Sequence, residues 1–231
     1  LGDVYKRQVY NPLSSALVIS ARERGINATG GLYMLVSQAA YAVEKFTGGS
    51  ITPEKTEEVY REILRDKKNI VLIGMPGCGK TTIGKILADE LNKDFTDTDD
   101  EIIKRINMPI ADYFAKHGEE SFRRVESEVI KEISACQSSV IATGGGAVLN
   151  PDNIRLLKEN GTVVFIDRPL EKLVTTADRP LSSSRELLEK RYKERYGLYC
   201  AAADIKIDAV NEIEQNVKNI EEVFLNENSC N

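Results

Sequence analysis

Residues 74–82, Gly74-Met75-Pro76-Gly77-Cys78-Gly79-Lys80-Thr81-Thr82, stand between a short β-rich run, Asn69–Ile73, and a segment with helical spacing, Thr81–Asn92. The apolar residues of that second segment are Ile83, Ile86, Leu87 and Leu91, which share a helix face. Gly74-x-x-x-x-Gly79-Lys80-Thr81 fits a pattern in which glycines let successive backbone N–H groups turn inward around phosphate oxygens. The helix after the loop adds its positive end. On this reading Gly77, Cys78, Gly79, Lys80, Thr81 and Thr82 hold the phosphates of ATP. Lys80 reaches the β and γ phosphates and the Thr81 hydroxyl ligates Mg²⁺. Cys78 is a small filler that contributes its backbone N–H. The plain alternative, a glycine-rich turn with a chance lysine, fits the flanking strand and helix less well.

Beyond the loop, strand and helix patterns alternate. Val140–Thr143, Thr162–Asp167 and Ile205–Asp208 read as strands, and Asp97 and Asp99, two apart, as a strand end. Asn150-Pro151-Asp152 starts a helix that Gly161 closes, while Arg185–Tyr199 and Asn211–Leu225 read as further helices. This alternation predicts a parallel five-stranded α/β sheet with helices on both faces, of the P-loop NTPase type.

A phosphate cradle raises the question of what accepts the phosphoryl group. Asp97 is a candidate for the Mg²⁺ shell and Asp99 for the acceptor hydroxyl, with Asp100 read as a helix-capping aspartate. In "GEESFRRVESEV", Arg123 and Glu126 are spaced i, i+3 and can pair on one helix face, beside apolar Phe122. A fork of donors held by a carboxylate suits a carboxylate ligand. Arg124 is read as solvated and His117 as a surface residue. Gly144-Gly145-Gly146 comes after a strand, where the backbone can approach a small ligand closely. "ADRPLSSSRELL" suits a mobile lid carrying Arg179, and "KERYGLY" offers Arg195 four residues before Tyr199.

The cradle, Asp97-x-Asp99, Gly118-Glu119-x-x-Phe122-Arg123-x-x-Glu126, Gly144-Gly145-Gly146, Arg179-Pro180-Leu181 and Arg195-x-x-x-Tyr199 occur in the order seen in shikimate kinases, which the chain resembles from about Asn69 to Glu222. The resemblance implies ATP-dependent phosphorylation of the 3-hydroxyl of shikimate in aromatic amino-acid biosynthesis. It implies that Asp99, Arg123, Gly145 and Arg195 hold shikimate, that Thr81 and Asp97 serve the metal, and that Lys80, Asp99 and Arg179 are catalytic. Two departures stand out: Ser182 replaces the family's usual second leucine after the lid proline, and Leu173–Ala177 lacks the arginine that many members carry before the lid. Other readings remain: another small-molecule kinase with the same cradle, or a nucleotide-binding regulatory module without turnover.

Composition narrows the rest. The net charge is −5 and the isoelectric point about 5.2, which argues against broad nucleic-acid or membrane-surface binding. Cys78, Cys136, Cys200 and Cys230 form no C-x-x-C pair, so reduced thiols in a cytoplasmic protein are expected, with a monomeric kinase domain. No apolar run approaches the ~20 residues of a membrane span. Asp3–Gln8 reads as the translation of a transposase end sequence used in library preparation, so residues 1–8 are expected to be a sequencing scar, with the gene continuing upstream. Residues 9–48 carry Tyr10-x-Pro12, Gly31-Leu32-x-Met34-Leu35 and Gln38-Ala39, which resemble the carboxyl-terminal end of shikimate dehydrogenase. That resemblance implies a shikimate contact for Gln38 and a place near the nicotinamide for Gly31. Tyr33, Met34, Leu35 and Tyr41 are expected to bury an apolar helix face. Residues 49–68 read as a linker and a helix capped by Thr52-Pro53-Glu54, residues 69–226 as the kinase domain, and 227–231 as a tail.

Overall fold

The computed structural model describes residues 9–173, 185–210 and 212–227. The expected scar at 1–8, the lid arginine Arg179, Ser182, Cys230 and residues 228–231 of the tail lie outside the described residues.

Three helices precede the sheet: α1 (Ala16–Glu23), α2 (Leu32–Thr47) and α3 (Pro53–Lys67). The α3 start obeys its sequence signal. Thr52 caps it by accepting from the Lys55 amide at 3.3 Å, and Pro53 fills the first position, where no donor is needed. This helix is more than a linker. Leu13, Leu32 and Val36 form a small core, closed by Val59, Tyr60, Ile63 and Leu64 of α3. The face that α2 buries differs from the one expected. Leu32 and Val36, four apart, turn toward α3, Tyr33 sets its half-exposed ring edge-on against Tyr60 of α3 at 5.2 Å, and Leu35 and Tyr41 are exposed. Lys93 secures the end of α3, donating to the carbonyls of Arg65, Asp66 and Lys68 at 2.9–3.0 Å, where a helix end lacks partners.

The main body holds β1 (Asn69–Ile73), α4 (Lys80–Glu90), β2 (Asp94–Asp97), α5 (Thr98–Ile106), α6 (Ile110–Ser134), β3 (Ser139–Ala142), α7 (Pro151–Asn160), β4 (Gly161–Asp167), α8 (Arg185–Ala202), β5 (Ile205–Asp208) and α9 (Ile213–Glu227). The five strands form one parallel sheet in the order β2-β3-β1-β4-β5. Helices cover both faces, so the middle strands have no polar side: Ile70, Val71, Leu72 and Ile73 are all fully buried, as are Val163, Val164 and Ile166. Each such side chain contributes roughly 1.5–3 kcal/mol of burial.

Two local expectations shift. Gly161 does come after α7, but in extended geometry (φ −134°), as the first residue of β4 paired with Asn69, so the helix passes straight into the strand. Asp97 ends β2, whereas Asp99 lies in the first turn of α5, because the Asp97 carboxylate accepts from the Asp99 amide at 3.0 Å and starts the helix there. Asp97 is therefore the capping residue. Asp100 is exposed on the same turn.

The topology places function. β1 is central, and the loop after it opens at the carboxyl edge of the sheet, with the end of β3 on one flank and the end of β4 on the other.

Candidate active site

The loop from Gly74 to Gly79 joins β1 to α4, and Gly79 adopts φ 101°, a left-handed conformation that admits glycine readily. Gly77 also has positive φ, Cys78 is fully buried, and Thr82 is exposed on the first turn of α4. Lys80 is the first residue of α4 and is only 7% exposed. Its Nζ donates to the carbonyls of Gly74 and Met75 at 2.9 and 3.0 Å and lies 3.6 Å from the Cys78 sulfur. Among the described residues these partners include no carboxylate. A buried ammonium held only by neutral groups calls for an anion.

Next to it the Thr81 hydroxyl donates to Asp97 Oδ2 at 2.8 Å. Two oxygen ligands, one carboxylate and one hydroxyl, fit Mg²⁺, which takes few protein ligands and completes its shell with water and phosphate. Among the described residues no cluster of three or more His, Cys, Asp or Glu side chains forms a closed metal cage.

On the β3 flank lies a cavity of about 410 Å³, lined by Pro76 of the loop, Asp99, Phe122, Arg123, Glu126, Gly144–Gly146, Arg191 and Arg195 among others. Pro76 belongs to both loop and cavity, so the two spaces adjoin. Helix α6 breaks at Gly118 (φ 77°, ψ 171°), and its second part carries Arg123 and Glu126 on one face. Arg123 donates from Nη1 to Glu126 at 2.7 Å and from Nη2 to Glu119 at 3.0 Å, and packs its guanidinium 5.4 Å from the centre of the Phe122 ring. Burial works against the Arg123 charge, but Glu126 and Glu119 outweigh it and raise its pKa. Glu126 is 2% exposed. Burial pushes its carboxyl up, Arg123 pulls it back and the negative Asp99 pushes it up again, leaving the pKa raised. Arg124 is exposed, as expected, and so is His117.

From the other side α8 supplies Arg195, 7% exposed, whose Nη1 donates to the Gly145 carbonyl at 3.0 Å. The Tyr199 hydroxyl, one turn later, donates to the same carbonyl at 2.6 Å. Gly145 is thus fixed by the helix that also carries its neighbouring arginine. Gly144 is required by contact: a Cβ there would stand 2.6 Å from Asp99 Oδ1. The structure therefore brings Asp97, Asp99, Arg123, Gly145 and Arg195 around one loop and one cavity.

Sequence reasoning misses two residues of the site. Thr98 is fully buried, and its hydroxyl accepts from the Gly144 amide at 2.8 Å, locking the glycine run to the start of α5. Nothing in its spacing announces this, since the partner is 46 residues away. Arg191 lines the cavity one turn before Arg195, and burial, Arg195 and Arg123 lower its pKa while Glu119 opposes them. Its i, i+4 spacing with Arg195 on one helix is a usable signal.

The family model for shikimate kinase matches residues 76–224. The chain belongs to the shikimate kinase family. As a shikimate kinase it is a transferase that uses ATP as phosphoryl donor. It is 44% identical over 164 residues to the shikimate kinase of Clostridium botulinum (strain Eklund 17B / Type B), an alignment covering 69% of this chain and 99% of that one. With the enzyme of Clostridium beijerinckii the identity is 43% over 163 residues, covering 69% of this chain and 96% of the relative. Among solved structures, the shikimate kinase from Acinetobacter baumannii in complex with shikimate superposes with a TM-score of 0.68 at 31% identity, covering 72% of this chain and 98% of that one. The Aquifex aeolicus enzyme gives 0.62 at 37% identity, covering 70% and 98%. These shikimate kinases span the sheet described above. Among the described residues no helix is long and apolar enough to cross a membrane.

Proposed function

We propose that this chain transfers the γ-phosphoryl group of ATP to the 3-hydroxyl of shikimate. The observation that carries this reading is the arginine-lined cavity that shares Pro76 with the phosphate loop. An acceptor bound there has its carboxylate against Arg123 and Arg195 and a hydroxyl near Asp99. Arg123 is held ready by two carboxylates and Arg195 by a backbone carbonyl, so both guanidinium groups are pre-positioned. Lys80 and the amides of the loop hold the donor phosphates. Thr81 and Asp97 would hold Mg²⁺, which would supply positive charge against the donor phosphates. Asp99 orients the acceptor hydroxyl and takes its proton. Arg179, which lies outside the described residues, is assigned to the donor phosphates on the family resemblance. The kinase domain acts as a monomer in the cytoplasm.

The test is ADP release from ATP and Mg²⁺ with and without shikimate. Release is expected to depend on shikimate in the wild type. In Arg123→Ala the KM for shikimate rises by about tenfold or more, since a charge-assisted contact contributes roughly 1.5–3 kcal/mol. Release indifferent to shikimate but raised by another acceptor favours a different small-molecule kinase.

We further propose that residues 9–48 are a carboxyl-terminal segment of the shikimate dehydrogenase type, on the motifs around Tyr10, Gly31 and Gln38, from a gene that joins two consecutive steps. In the structure Gly31 is buried at the start of α2, and Gln38 is exposed. The segment carries neither a glycine-rich nucleotide turn nor the lysine and aspartate that the dehydrogenase resemblance would require for catalysis, so shikimate-dependent reduction of a nicotinamide cofactor is expected to be undetectable by absorbance. Measurable hydride transfer overturns this assignment.

A further inference from the structure

Among the described residues, the buried side-chain atoms without a hydrogen-bond partner include the Nε of two arginines, Arg195 and Arg168. They flank the phosphate loop on opposite sides. Arg195 serves the cavity on the β3 flank. Arg168 comes directly after Asp167, the last residue of β4, on the other flank. β4 runs in register with β1, Ile73 opposite Phe165, so the end of β4 lies beside the start of the loop. The Arg168 Nη1 is 4.0 Å from the point where a Cβ on Gly79 would stand, which puts the guanidinium against the entry of α4.

The adjacent carboxylate is already engaged. Asp167 accepts from the Tyr196 hydroxyl at 2.9 Å and pairs with Lys206 at 2.8 Å. Arg168 itself makes no ion pair among the described residues. A partly buried guanidinium with an unused donor, beside a lysine that also lacks a carboxylate, marks a place built for an anion.

Geometry says which anion. In a direct transfer the acceptor meets the terminal phosphoryl group, with the attacking and leaving oxygens roughly in line. The acceptor cavity occupies the β3 flank, so the rest of the donor must leave the loop toward β4. We propose that Arg168 binds the donor nucleotide through the phosphates that ATP and ADP share. This rests on the reading of the loop as the ATP cradle. It gives the donor an arginine from the strand end itself.

The test is calorimetric binding of ADP to the full chain, with shikimate binding measured separately in the absence of nucleotide. Arg168→Met keeps the apolar stem and removes the charge, and Arg168→Gln serves should the first variant not fold. Either is expected to raise the Kd for ADP about tenfold or more, the size of a lost charge-assisted hydrogen bond, and to leave the Kd for shikimate within about twofold. ADP affinity within about twofold of wild type overturns the proposal, and so does an equal loss of ADP and shikimate, which identifies a packing role. If both variants fail to fold, Arg168 is structural and the proposal falls. A wild-type chain that does not bind ADP overturns the cradle reading itself, an outcome distinct from the variants failing alone.

Discussion

Lys80→Met is expected to lower kcat by about 10²–10³-fold, the usual cost of removing one pre-aimed positive donor from a developing charge. The Nζ sits on two carbonyls of its own loop, so it is held at the cradle before any ligand arrives. Methionine matches the length of the stem but satisfies neither carbonyl. The loop therefore loses some rigidity as well, at a cost of about 1–3 kcal/mol for a buried acceptor left unpaired. The two effects separate by measurement. Shikimate binding, which the proposed function assigns to Arg123, Arg195 and the glycine run, is expected to stay within a few-fold of wild type. A kcat within tenfold of wild type, with ADP still bound normally, would show that Lys80 does not anchor the transferred group.

The loop was the most legible part of the sequence because three local signals agreed there: an apolar strand run, spaced glycines and a helical period. The caps at Thr52 and Asn150 were readable for the same reason, since a cap and the proline after it act within a few residues. Expectations slipped where a choice depended on partners far along the chain. Thr96-Asp97-Thr98-Asp99-Asp100 offers several possible caps, and the pairing of β2 with β3 ends the strand at Asp97, which moves Asp99 onto the helix. The apolar residues of α2 could bury more than one face, and α3 selects Leu32 and Val36. Thr98 and Arg168 gain their meaning only from Gly144 and Gly79, which the fold brings beside them, whereas Arg191 was readable from its spacing to Arg195. The motif residues of the cavity were legible individually. That they share one wall with the phosphate loop through Pro76 was not.

Asp99→Asn is expected to lower kcat by about 10²–10⁴-fold, the range for losing a positioned proton acceptor, with a smaller change in the KM for shikimate. The isosteric amide keeps the hydrogen bond between the Asp99 backbone amide and the Asp97 carboxylate, so the start of α5 survives. It also keeps the close fit against Gly144. The substitution changes the charge beside Glu126. The Glu126 pKa is raised, first by burial and then by Asp99, against the pull of Arg123. A carboxyl whose folded pKa lies above its unfolded value binds more protons when folded. It favours the fold below the unfolded pKa and loses that contribution as pH rises through the folded pKa. Removing the Asp99 charge lowers the Glu126 pKa and reduces that loss. Asp99→Asn is therefore expected to be the more stable protein at neutral pH, with a difference that shrinks as pH falls toward the ordinary carboxylate range. Thermal unfolding of both proteins at neutral and at progressively more acidic pH reads the stability effect beside kcat. A variant that loses activity and stability together would mean that Asp99 holds the cavity in shape rather than serving the acceptor hydroxyl.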